Sequence, residues 1–416
     1  MRRRHCILIA GVMRKSKLTD LALLGGKPAF DEPLHVGRPN LGDRGRFLRR
    51  VNDLWKRRWF TNNGPYVREF EQKLVKLLGV KHCIPVCNAT VAMELAIRAL
   101  DLRGEVIVPS FTFVATAHAL QWQEITPVFC DIDRATHNLD PARVEQMITP
   151  RTSGIIGVHI WGRPCDVEAL SGLARRHKLK LLFDAAHAFG CSLGGRMVGN
   201  FGEVEVFSFH ATKFFNTFEG GAIATNNDAL AAKIRLMKNF GFNGYDNVIY
   251  VGTNGKMTEI SAAMGLTELE SMDDFIATNR KNYYAYQEGL KDIPGVSLAS
   301  YNEAERCNFH YIILEIDEAA GLGRDQLIAA LQAENVLARR YFFPGCHRMQ
   351  PYRSLFPHAG LLLPETEWLA SRVASLPNGT SVGAAEIRTI CGLIRFILSH
   401  GPEIQRELLK RQPPKV

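Results

Sequence analysis

The sequence predicts an α/β fold, with a mainly parallel sheet flanked by helices and a smaller α+β domain at the C-terminal end. From about Lys81 to Thr225, short apolar runs alternate with helix-length amphipathic stretches, the rhythm of βαβ units. From about Met272 that rhythm gives way to a long polar helix and then to separated strands and helices. With 416 residues and 46% hydrophobic content, the chain can bury one large core and one smaller one. The expected organisation is a leader and arm over 1–60, a large domain over 61–271 and a small domain over 272–416.

The first residues, MRRRHCILIAGVM, have a basic start and an apolar run. That run is short and is followed by RKSK, not by a small-residue cleavage site, so it reads as a leader with Met13 as a candidate start. One helix is expected in the arm, from Gly42 to Arg58. The Asn-Gly-Pro turn at residues 63–65 precedes a helix over Val67–Leu78, which Gly79 stops. HCIPVCN is a strand, and Ala89 and Thr90 open a helix reaching Leu100. The free N–H groups at that helix start suit a phosphate, with about 0.3–2 kcal/mol from the dipole alone. EVIVP, a helix over Thr112–Trp122, TPVFCD, a helix over Pro141–Met147, SGIIGVH, a helix over Asp166–His177 and LKLLFD continue the alternation. After VEVFSF and AIAT come helices over Asp228–Asn239 and Glu259–Leu269. The small domain should hold a helix over Asp273–Leu290, the strands VSLAS, HYIILEID and VLARRYF, a helix over Arg324–Glu334 and helices from about Glu365 and Ala384. The tail from Lys410 should fray.

The chemistry gathers at two strand ends. LKLLF delivers Asp184, and VEVFSF delivers Ser208 and then Lys213. In open α/β sheets ligands bind at the carboxyl ends of strands, so a carboxylate, a hydroxyl and an amine should meet in one crevice. Asp184 alone would read as a helix cap and Lys213 alone as a solvated lysine. Together they suit pyridoxal 5′-phosphate (PLP), which needs an amine to bond to its aldehyde and a carboxylate to keep its ring nitrogen protonated.

At these residues the chain resembles the DegT/DnrJ/EryC1/StrS sugar aminotransferases, PLP enzymes of fold type I. DAAHAFG and SFHATKFFNTFEGG carry the resemblance, together with TNNGPYVREFE, CNATVAMELAIRAL, VPSFTFVATAHAL and GTNGKMTEISAAMGL. It spans about residues 35–390. It implies Lys213 as the covalent anchor and proton carrier, Asp184 as partner of the ring nitrogen, Ala89 and Thr90 at the cofactor phosphate, and Phe113 stacked on the ring. Ser208 joins the cofactor site. His187 either donates a hydrogen bond near the phenolic oxygen or packs against the ring without chemistry. Where the family more often has glycine, this chain has Asn88. The resemblance also implies a homodimer with shared sites, in which Asn254 reaches the partner's cofactor phosphate, and places the arm against the small domain. Tyr341 and His347, in YFFPGCH, become candidate sugar contacts. His159 and His210 read as structural.

The implied reaction moves an amino group from L-glutamate to a nucleotide-linked keto sugar, with pyridoxamine 5′-phosphate as the intermediate form of the cofactor. The motif pattern is most like enzymes that make dTDP-4-amino-4,6-dideoxyglucose from dTDP-4-keto-6-deoxyglucose, with a 3-keto sugar as the alternative. One branch of the family dehydrates sugars and has histidine in place of the lysine; Lys213 argues against it. A non-catalytic regulatory protein on the same fold is the reading from another class. Only the charge supports it: 51 Lys and Arg against 42 Asp and Glu, net +9. The basic groups are not interleaved with a nucleic-acid motif, so they read as solvated faces plus a site for an anionic substrate. Nine cysteines, an odd number without a CxxC pair, indicate neither a disulfide framework nor a metal site, and fit a cytoplasmic protein. No run approaches the apolar length of a membrane span.

Overall fold

The computed structural model describes residues 15–411. The leader with Met13 and the tail 412–416 lie outside the described residues. Seven strands form the main sheet: β1 (His82–Val86), β2 (Glu105–Pro109), β3 (Thr126–Cys130), β4 (Thr152–Val158), β5 (Lys180–Asp184), β6 (Val204–Ser208) and β7 (Gly221–Thr225). Their order is β1-β7-β6-β5-β4-β2-β3. All neighbours from β6 to β3 are parallel, and β7 runs antiparallel to both β1 and β6. The mainly parallel α/β sheet expected from the alternation is therefore the one observed.

Strand residues feed two cores in turn, because successive side chains leave a strand on opposite faces. Leu181 and Phe183 enter one core and Leu182 the other; Val106 and Val108 separate from Ile107 in the same way. This explains the unbroken apolar runs. One face is covered by α2 (Pro65–Leu78), α6 (Val167–His177) and α8 (Glu259–Leu269), the other by α3 (Ala89–Ala99), α4 (Ala115–Gln121) and α7 (Asp228–Met237). The helix starts are written locally. Asn88, Asp166 and Asn227 cap α3, α6 and α7 by accepting from Val91, Ala169 and Leu230 N–H groups, each worth about 1 kcal/mol. Pro65 opens α2 and Gly79, left-handed at φ 64°, closes it.

The small domain comprises α9 (Met272–Leu290), the antiparallel sheet β8-β9-β10 (Val296–Leu298, Ile312–Ile316, Val373–Leu376), α10 (Arg324–Ala333) and the helix Ala384–Ser399. Its core joins Tyr286 and Leu290 of α9 to Leu314, Leu331 and Ile394. β10 is absent from the expectation, since four buried residues without alternation carry no readable period. VLARRYF contributes only the two-residue strand Val336–Leu337, which pairs in parallel with Leu34–His35 of the arm.

The arm divides between the domains and does not pack wholly on the small one. Leu21 enters the small-domain core, and Glu334 accepts from the Ala22 and Ala29 N–H groups while pairing with Lys15 at 2.9 Å. The helix α1 (Arg44–Arg57) lies instead against α8, with Arg50 on Glu270 at 2.5 Å. A segment late in the chain also crosses back: Cys346, Tyr352 and Leu363 join the large-domain core, and the Cys346 N–H donates to Ser110 O.

Candidate active site

The carboxyl ends of β5 and β6 open into a cleft of about 350 Å³. Asp184, Ser208 and Lys213 line it, so the three groups read from the strand ends do converge. Ala89, Thr90, Phe113, His187 and Tyr341 line it as well.

Lys213 follows β6 in a tight turn in which its N–H donates to His210 O. Burial presses its ammonium toward the neutral form, lowering the pKa from 10.5 to about 8, and the negative charge of Asp184 opposes the drop. At pH 7 about one molecule in ten then carries a neutral amine, roughly 300-fold more than an ordinary lysine would. Nζ donates to the Tyr311 hydroxyl at 3.3 Å.

Asp184 is fixed from two sides. Oδ1 accepts from the Ala186 N–H at 3.0 Å and Oδ2 from the Thr116 hydroxyl at 2.8 Å. Burial raises its pKa, while these two hydrogen bonds and the Lys213 charge hold it down. A cationic ring nitrogen placed here would complete a buried ion pair.

His187 is stacked in an aromatic slab, its ring within 12° of both Trp161 and Phe342 at 5.9 and 5.8 Å. The Trp161 N–H donates to Nδ1 at 3.2 Å, and burial keeps the ring neutral, so the remaining proton sits on Nε2. Phe113 stands at the rim, 59% exposed and open to stacking. At the start of α3 the Asn88 side chain takes the Val91 N–H, and the Ala89 and Thr90 N–H groups precede the first intrahelical bond. Asn88 is extended, φ −167°, which any residue adopts, so the family's glycine is not required. The bare Gly221 backbone lets β7 press against this turn: a Cβ there would lie 2.9 Å from Ala89 N. An amine near neutrality, a fixed carboxylate, an aromatic face and open helix-start donors together form a donor set that fits PLP.

Two expected residues lie elsewhere. His347 is buried and not in the cleft: Nδ1 meets the Ser110 hydroxyl at 2.7 Å and Nε2 meets Glu367 at 2.7 Å. With both ring nitrogens engaged, it pins its loop to the end of β2 and does not line the cleft where a sugar contact was expected. Asn254 is exposed and outside its own chain's cleft, bridged to Asn239. His159 is buried against Glu205 at 2.9 Å beneath Phe183, and His210 sits at the rim with Thr212. Sequence reasoning missed Thr116, Trp161, His310, Tyr311, Arg339 and Phe342. Thr116 was within reach, one helical turn after Phe113, and so was Phe342, beside Tyr341 in YFFPGCH; the others come from segments that carry no chemical signature of their own.

A profile of the DegT/DnrJ/EryC1/StrS aminotransferase family matches residues 43–395. The chain is 39% identical over 368 residues to the dTDP-4-amino-4,6-dideoxy-D-glucose transaminase of Shigella dysenteriae, covering 88% of this chain and all of the relative. It is 36% identical to the Escherichia coli enzyme of the same name, covering 88% and 98%. Among solved structures it is similar to DesI, crystallised in the presence of its TDP-sugar product, with a TM-score of 0.91 and 50% identity over 94% of this chain and all of DesI. Fold, cleft and sequence agree: the chain belongs to the DegT/DnrJ/EryC1/StrS aminotransferase family.

Proposed function

We propose that this chain is a PLP-dependent transaminase that moves an amino group from L-glutamate to dTDP-4-keto-6-deoxyglucose, giving dTDP-4-amino-4,6-dideoxyglucose for deoxyaminosugar biosynthesis in the cytoplasm. The observation that carries the reaction class is the pairing of Lys213, its pKa lowered to about 8, with Asp184 across one cleft. The sugar rests on the names of the Shigella and Escherichia relatives and on DesI with its TDP-sugar product.

PLP, when bound, would supply an electron sink for carbanion chemistry at the amino-bearing carbon. Lys213 would hold the cofactor between turnovers. Its Nζ would be the group that takes and returns the substrate proton, work that needs a pKa near the working pH. Asp184, held by Thr116 and the Ala186 N–H, would keep the ring nitrogen protonated. Ala89 and Thr90 would offer their N–H groups to the phosphate, Ser208 would add a hydroxyl, and Phe113 would cover one ring face. His187 Nε2–H is free to donate toward the phenolic oxygen. Arg339, lying 5.3 Å from the Tyr341 ring in the same cleft, offers a cation beside Tyr341 for the anionic sugar nucleotide.

The working unit is a homodimer. Exposed apolar side chains stand on α1, on the 240–251 segment and on α8, including Trp55, Tyr245, Val251 and Ile260, and Asn254 is exposed as well. A second copy covering them would bring Asn254 to the partner's cofactor phosphate.

The test is the visible spectrum of the purified protein, alone, after L-glutamate, and after dTDP-4-keto-6-deoxyglucose. A yellow band that bleaches with glutamate and returns with the sugar supports both half-reactions, and product NMR then separates the 4-amino from the 3-amino sugar. No band with added PLP defeats the cofactor assignment. Bleaching that the sugar does not reverse leaves the transaminase and removes the acceptor.

A further inference from the structure

Tyr311 immediately precedes β9, so it belongs to the small domain, yet its hydroxyl reaches Nζ of Lys213 on the large-domain turn at 3.3 Å. Among the described residues that amine is the hydroxyl's hydrogen-bond partner. The rest of the residue is held firmly. The Tyr301 hydroxyl accepts from the Tyr311 N–H at 3.2 Å and donates to its carbonyl at 2.8 Å, and the ring is boxed by His187, His310 and Trp161 at 4.5, 4.4 and 5.3 Å. Such a clamp fixes an acceptor at one point beside the amine.

The groups facing Lys213 divide clearly. Asp184, from the end of β5, carries the opposing charge. His187, from the turn after β5, and His310, ahead of β9, are both driven neutral by burial and by the lysine itself, His310 to about 3. Tyr311 stays a phenol, since burial raises its pKa well above the ordinary value. A neutral phenol oxygen accepts more strongly from an ammonium than from an amine. It also holds one N–H of the neutral amine, which leaves the lone pair aimed away from the ring.

We propose that Tyr311 is a catalytic residue of this aminotransferase, its hydroxyl accepting from Lys213 Nζ in both protonation states so that the proton-carrying amine keeps one orientation through turnover. Tyr311 gains and loses no proton in this role; the proton travels on Nζ alone. Because the contact crosses from one domain to the other, seating of the small domain is felt at the nucleophile.

The inference rests on the PLP transaminase reading, and its test separates the two. Apo-protein is acetylated with acetic anhydride across a pH series, and Lys213 modification is read by peptide mass spectrometry, giving the midpoint for the free amine without any cofactor. In Tyr311→Phe the ammonium loses an acceptor, so the midpoint should fall by half a unit or more below the wild-type value near 8; kcat should fall about tenfold with KM for the sugar within about threefold of wild type. Tyr301→Phe, which loosens the backbone clamp but keeps the Tyr311 hydroxyl, should move the midpoint the same way by less, and it serves if Tyr311→Phe does not fold. A wild-type midpoint in the folded variant overturns the proposal whatever happens to kcat. Failure of the wild type to take up PLP would instead overturn the functional reading.

Discussion

The floor of the cleft, built at the strand ends of the large sheet, and the wall facing it, built from the small domain, meet at one lysine by different means. The floor works by charge in a dry place: Asp184 and Lys213 are pushed toward their neutral forms by burial and hold one another back from it. The wall works by fixed rings: Tyr311, His310, Tyr341 and Phe342 present aromatic faces, and the Tyr311 hydroxyl touches the amine. Substitutions on the floor should therefore remove chemistry, and substitutions on the wall should alter orientation and affinity.

The floor can be broken outright. Lys213→Ala removes the anchor and the proton carrier together, so turnover should fall by about 10⁴-fold or more. Steady-state kcat with saturating L-glutamate and keto sugar measures it; a loss under tenfold would mean another group carries the proton. Asp184→Ala should come next. Leaving the partner of a buried ion pair alone costs about 3–5 kcal/mol, roughly two to three and a half powers of ten in PLP affinity. Equilibrium dialysis against PLP reads that directly, and retention of wild-type affinity would remove Asp184 from the ring nitrogen.

A pH series sharpens the same pairing. Covalent uptake of PLP needs the neutral amine, so its rate in the apo-protein should rise through about pH 8 and then level off, in place of a rise centred on 10.5. Asp184 holds the Lys213 pKa up, so Asp184→Asn should move the midpoint below 8. An upward shift would show that the carboxylate acts on the lysine through something other than its charge.

The difference between floor and wall also explains what the sequence could disclose. Asp184, Ser208 and Lys213 were legible because each closes or follows an apolar run, and strand ends in a parallel sheet are where sites form. The strands themselves were legible for the same reason: full burial on both faces leaves unbroken runs such as EVIVP and LKLLF. Tyr311 and His310 were not, because HYIILEID reads as a strand start whatever lies opposite it. Trp161 and Phe342 stack on His187 across long sequence separations, and no local pattern announces that. β10 was missed for want of a period, and the crossing of residues 346–363 back to the large domain depends on packing such as Tyr352 against His118 and Phe129, which only the folded chain brings together.

His347, expected beside the sugar, lies outside the cleft lining, and it yields the smallest expected effect on catalysis. Its ring spans Ser110 and Glu367, and the Ser110 hydroxyl also accepts the His347 N–H at 3.1 Å. The ring thus ties the loop after Tyr341 to the end of β2, behind the cleft. His347→Ala should take the ring partner from the buried Ser110 hydroxyl, which keeps the backbone N–H of residue 347, and remove one partner from Glu367. That loss is about 1–3 kcal/mol of stability, seen as a lower urea midpoint with an unchanged slope. KM for the keto sugar should stay within about twofold, because no part of the ring lines the cleft. Tyr341→Phe is the matched control, since Tyr341 does line it: there KM should rise while the urea midpoint holds. If the two variants exchange these behaviours, the sugar is bound on the His347 side of the loop and the division between floor and wall has been drawn in the wrong place.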